Sequence, residues 1–112
     1  MAHRDLNVLD AAERAATQLN RLIDRSPAGR LLYVRQMRKS VQSISANISE
    51  GFGRGKGRFR AHPLEIARGE TEETIQHLKV NFRTGRVDPK DYWPNHHLLV
   101  VIVKMLNSLL NG

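Results

Sequence analysis

Residues 40–54 read SVQSISANISEGFGR and decide the fold, because they end one helix and begin a basic turn. Before Gly51, the apolar residues Val41, Ile44 and Ile48 recur at spacings of three and four, which places them on one helix face. From Gly51 to residue 57, every second residue is a glycine. Helices commonly end in a left-handed glycine, so the pattern predicts a positive φ at Gly51.

The chain has 112 residues, a length that predicts a single domain over residues 1–112 with one modest core. Its formal net charge is +7 and its pI is about 10.6. Between Arg30 and His62, eight basic residues stand against one acid, Glu50, so this window carries the whole net charge. Such a surface indicates an acidic partner, nucleic acid first, and a merely solvated basic face is the alternative.

Several classes of protein are disfavoured by what the sequence lacks. It has no cysteine, which excludes disulfides and thiolate metal sites. Its first residues lack the apolar core of a signal peptide. The longest apolar run, residues 98–103, is far short of the roughly 20 residues that span a bilayer. We therefore expect a cytoplasmic protein with no membrane association.

Apolar spacing predicts four helices, and no period-two alternation indicates a strand. The helices are expected at about residues 5–24, at 30–50, from a start between 58 and 63 to about 84, and at 94–110. Pro94 is expected to delay the fourth, and Gly69 in the third predicts a close backbone neighbour. Short connections favour an antiparallel, up-down-up-down four-helix bundle of the all-α class.

The fourth predicted helix carries more apolar surface than one bundle needs. Its polar residues form one narrow stripe of His97, Lys104, Ser108 and Asn111. A surface helix of a monomer requires an apolar arc of only a little over 100°. The excess predicts a homo-oligomer that covers it, and an unusually central helix is the alternative.

Residues 43–54, SISANISEGFGR, followed by residues 66–70, IARGE, resemble the bacterial four helix bundle protein family. Its members are also called intervening-sequence proteins of large-subunit ribosomal RNA genes, and relatives include the accessory variability protein of diversity-generating retroelements. The resemblance implies a homo-oligomeric ring, with five subunits expected, that acts as an adaptor for RNA or DNA and serves a reverse transcriptase or another protein. Ser45, Ser49 and Glu70 depart from the family pattern.

Within this motif, Asn47, Glu50, Gly51 and Arg54 are interpreted as structural. The Glu50 carboxylate opposes the dipole at the end of its helix, so an arginine, Arg54 or Arg68, is expected to compensate it. Asn47 is expected to hydrogen-bond the backbone of the glycine turn rather than a ligand.

No catalytic or metal-binding set emerges from the sequence. A di-metal bundle requires Glu-x-x-His pairs, which do not occur. Glu73 and His77 suggest only a surface contact, and the adjacent His96 and His97 diverge by about 100° on a helix. The protein is therefore expected not to be an enzyme and to hold no metal or cofactor.

The function left is electrostatic, namely phosphate contact without sequence readout. One basic stripe follows the second helix and continues through the glycine turn. The candidate nucleic-acid-binding residues are Arg35, Arg38, Lys39, Arg54, Lys56, Arg58 and Arg60. The alternative is an oligomeric scaffold whose basic face meets acidic protein or only solvent.

Overall fold

The structure is a computed structural model that describes residues 3–55 and 58–111. Its elements are α1 (His3–Arg25), α2 (Val34–Gly53), a short 3-10 segment (Arg58–Arg60), α3 (Ala61–Arg83) and α4 (Pro89–Asn111). These residues contain no strand, which confirms the prediction of four helices and an all-α class. Across the same ranges, no helix is long and apolar enough to cross a membrane.

Each helix packs against two others: α1 and α3 each contact both α2 and α4. The apolar residues at three-four spacing, such as Leu19 and Ile44, are buried between the helices. Buried polar groups at the contacts are paired. Between α2 and α3, for example, the hydroxyls of Ser40 and Thr74 lie 2.7 Å apart. Pairing spares these groups the cost of leaving water unsatisfied.

The link between α1 and α2 is longer than predicted and delays the start of α2 to Val34. Fully buried Asn81 of α3 accepts the N–H of Leu32 at 2.8 Å and donates to the Leu32 carbonyl at 3.0 Å. Both backbone groups of Leu32 are thus used outside a helix. Tyr33 follows with a left-handed φ of 61°, and the helix begins only after it.

Gly51 corrects the prediction made for the end of α2. The helix continues past Gly51 to Gly53, and the positive φ in this turn, 81°, belongs to Gly55. Gly51 is buried against the start of α3. A Cβ there would lie 2.9 Å from Leu64 Cδ2 and 3.3 Å from the Arg60 carbonyl oxygen. Close packing, not a left-handed turn, therefore explains this glycine.

The close neighbour predicted at Gly69 is absent. Gly69 is exposed on α3, and an added Cβ would have no atom outside its own helix within 4 Å. Nothing in the described structure explains a glycine there.

The start of α4 also differs from the prediction, since the helix begins at Pro89 and includes Pro94. The Asp88 carbonyl accepts the N–H of Asp91 at 3.0 Å, so the first turn forms before Pro94 is reached. The N–H that Pro94 lacks would have met the carbonyl of Lys90 in that exposed turn. Water can hydrate such a carbonyl, so the proline is tolerated.

The buried face of α4 is narrower than its apolar surface. Its buried residues are Tyr92, Asn95, Leu99, Ile102, Leu106 and Leu109. Val100, Val101 and Val103 are only half-buried and stand outside the core cluster. The other three helices therefore do not enclose α4, and apolar surface remains on its outer side.

Candidate nucleic-acid interface

Arg35 and Lys39 are the clearest basic residues of the predicted stripe. Both are exposed on α2, one helical turn apart. Within residues 3–55 and 58–111, the structure gives neither of them an ion pair. Their charges are therefore open to a polyanion.

Arg38 lies between them in sequence but is committed to the fold. Its Nη1 donates to Asn20 Oδ1 at 2.7 Å, and its Nη2 donates to Asp24 Oδ1 at 2.6 Å. Both partners are on α1, so Arg38 ties α2 to α1. Its charge is already neutralised by Asp24, which weakens the case for phosphate contact.

Arg54 pairs with Glu50, one turn before it, at 2.5 Å. It also donates to the carbonyl of Phe59 at 3.5 Å, across the glycine turn. This pairing confirms that an arginine compensates Glu50 and selects Arg54 for that role. Arg68, the other candidate, donates instead to Asn107 of α4 at 2.9 Å. Because the Arg54–Glu50 pair is half exposed, its contribution to stability is about 1 kcal/mol at most.

The rest of the predicted stripe is only partly defined. Lys56 lies outside the described residues, and the side chain of Arg58 is also not described. The backbone of Arg58 opens the 3-10 segment, and Arg60 at its end is half-buried and has an interaction of its own. The continuous stripe predicted from sequence is thus observed directly only at Arg35 and Lys39.

Acidic residues of α3 border this surface. Burial raises the pKa of Glu70, neighbouring Glu73 raises it further, and Lys39 opposes the rise. Since these carboxylates repel phosphate, the accessible basic surface is confined to the side of α2 away from them.

Asn47 does not act as predicted. Its Nδ2 donates to the carbonyl and to the hydroxyl of Ser43, each at 2.9 Å and one turn back along α2. These bonds fix the side chain along its own helix rather than forward on the glycine turn. Its role remains structural, by a different contact.

The described residues contain no group of three His, Asp or Glu side chains that could hold a metal ion. His77, expected to make a surface contact with Glu73, is half-buried and stacks on Tyr33 with ring centroids 4.5 Å apart. Its Nδ1 is buried and has no hydrogen-bond partner in the described structure.

One group of residues was missed by sequence reasoning. Phe82, Tyr92, Trp93 and His96 form an aromatic cluster at the junction of α3 and α4. Trp93 is the most exposed member, at 55%. The available signal was a tryptophan on the polar side of a helix whose opposite face is apolar.

Comparison with known proteins supports the resemblance seen in residues 43–54 and 66–70. The crystal structure of a protein with unknown function from the S23 ribosomal protein family of Bacteroides thetaiotaomicron VPI-5482 is 25% identical, with a TM-score of 0.87. The similarity covers 97% of this chain and 99% of that one. No curated protein matches the chain. The family described as 23S rRNA-intervening sequence protein matches residues 4–108, and the chain therefore belongs to that family.

Proposed function

We propose that the protein is a non-enzymatic, oligomeric adaptor that binds RNA or DNA through its basic surface and serves a partner enzyme. The observation that carries the proposal is the exposed pair Arg35 and Lys39, without ion pairs in the described structure, in a chain of net charge +7. Charges of this kind contact phosphates regardless of base sequence, and the released counterions drive binding.

The proposal predicts salt-dependent binding that depends on Arg35 and Lys39. Fluorescence anisotropy with mixed-sequence RNA and DNA at about 50 mM salt should detect complexes whose affinity falls steeply as salt rises. The double variant Arg35→Gln/Lys39→Gln should weaken all sequences about equally. It should also reduce the magnitude of the salt slope by roughly two contacts.

Arg14→Gln is the matched control. Arg14 is exposed on α1 beside Asp10 and Glu13, so its removal lowers the net charge without touching the α2 surface. Its salt slope should match the wild type. Absence of binding, or binding indifferent to salt, would favour the alternative of a scaffold with no direct nucleic-acid role.

The proposed assembly is a homo-oligomeric ring of up-down-up-down bundles, with five subunits expected from the family resemblance. Two observations support parts of it. Alternating helix directions would bring residues 26–33 and 84–88 to one end of the bundle, and these links do meet. Arg30 donates to the carbonyls of Gly85 and Arg86, and Arg86 donates to that of Arg30. The half-buried valines of α4 supply an apolar contact surface.

Charge on that surface should prevent assembly. Val100→Glu and Val103→Glu each place a carboxylate where the proposed contact excludes water, a cost that neither variant incurs as a monomer. Light scattering should shift from an oligomer to the 12.7 kDa chain while the helical circular dichroism is kept. Gln36→Glu adds the same charge on α2, which does not pack against α4, and should leave the mass unchanged. A well-folded wild-type monomer at micromolar concentration would contradict the assembly.

A further inference from the structure

The aromatic cluster between α3 and α4 holds its one tryptophan in an unusual orientation. Phe82 and Tyr92 stack with centroids 4.0 Å apart and planes within 4°, and His96 stacks on Tyr92 at 5.2 Å and 24°. Trp93 is steeply inclined to all three rings, at angles of 69° to 88° and distances of 4.9 to 5.7 Å.

This arrangement leaves one face of the indole open. Separations of this size between steeply inclined rings are typical of edge-to-face contacts. Because the other three rings are nearly parallel to each other, Trp93 lies across the edge of their stack, and no described ring is stacked on it. The side chain is 55% exposed although its surroundings hold it in place. A rigid, solvent-facing aromatic surface loses little conformational freedom when a planar group stacks on it.

Two cations flank the cluster. Lys79 and Arg83 lie one turn apart on α3, and the structure gives neither an ion pair within the described ranges. Their proximity is visible in the titration of the cluster. Burial lowers the pKa of His96, and Lys79 and His97 lower it further. Burial raises the pKa of Tyr92, and Arg83 opposes that rise.

We propose that Trp93 is a stacking site for an unpaired base of single-stranded nucleic acid, with Lys79 and Arg83 contacting the adjoining phosphates. The inference rests on the proposed nucleic-acid-binding function and adds a preference for single strands. Every base presents a π-face, so such a site tolerates sequence. In a duplex, both faces of each internal base are already stacked, which excludes the duplex from the indole but not from phosphate contacts on α2.

Trp93 is the only tryptophan of the chain, so its intrinsic fluorescence reports on this site alone. The full chain is titrated with a single-stranded mixed-sequence oligonucleotide and with a duplex of the same length, and anisotropy of labelled strands is followed in parallel. We expect the single strand to quench Trp93 emission and the duplex to bind without quenching it.

Variants separate stacking from charge. Trp93→Ala should weaken single-strand binding roughly tenfold, the loss of one base–aromatic stack, and leave duplex binding unchanged. Trp93→Phe should restore part of the affinity because it keeps an aromatic face. Phe59→Ala removes another exposed aromatic, 65% accessible on the basic turn, and should leave the ratio of single-strand to duplex affinity unchanged.

Three outcomes would overturn the inference alone. They are strand binding by anisotropy with constant Trp93 emission, equal quenching by single strand and duplex, and a free protein whose Trp93 is shielded from acrylamide. Shielding would mean that another subunit or a protein partner covers the indole. If neither single strand nor duplex binds, the proposed function and this inference both fail.

Discussion

Asn81→Leu is expected to destabilise the protein by about 3 kcal/mol, with a fall in Tm of roughly 10 °C. Asn81 is fully buried and its amide pairs with both backbone groups of Leu32, at 2.8 and 3.0 Å. Leucine has a similar volume, so the main loss is polar. The half-buried Leu32 N–H and carbonyl would lose their partner, at about 1–3 kcal/mol for each buried group left unsatisfied.

Asn95→Leu provides the matched control. Asn95 is also buried, on α4, but its amide donates only to the carbonyl of Asp91, one turn back in the same helix. Removing that bond leaves no link between α1 and α2 unsupported, so a loss of about 1 kcal/mol is expected. Thermal unfolding followed by circular dichroism compares the two variants. Equal losses would show that Asn81 acts only as a buried amide and does not hold the link.

The helices were predictable from sequence because their determinants are local. The three-four spacing of Val41, Ile44 and Ile48 depends only on the 3.6-residue repeat, and all three are fully buried. The ion pair between Arg54 and Glu50 was equally accessible, since residues four apart on a helix are neighbours.

What the sequence did not reveal depends on contacts between distant residues. Asn81 delays the start of α2 from 49 positions away, and no local pattern announces that bond. Arg38 looks like a phosphate ligand until Asp24 of α1 is placed beside it. The indole of Trp93 gains its cationic neighbours only when α3 and α4 pack together.

Gly51 belongs to the same class of residues, and its substitution should have the second large effect. Gly51→Val is expected to destabilise the protein by about 1–3 kcal/mol through overpacking. An added Cβ would lie 2.9 Å from Leu64 Cδ2 and 3.0 Å from its Cγ, and Leu64 is itself fully buried, with little room to shift. The Arg60 backbone oxygen, 3.3 Å away, blocks a second direction.

Gly53→Val separates this contact from the general effect of a β-branched residue in a helix. Gly53 ends the same helix, is exposed, and would place its Cβ in open space. Its substitution should change the free energy of unfolding by no more than about 0.5 kcal/mol. Gly51→Ala should fall between the two, because helix propensity favours alanine by about 1 kcal/mol while the contact with Leu64 opposes it. Denaturant unfolding ranks the three variants. If Gly51→Val and Gly53→Val lost equal stability, the close packing of α2 on the start of α3 would be wrong.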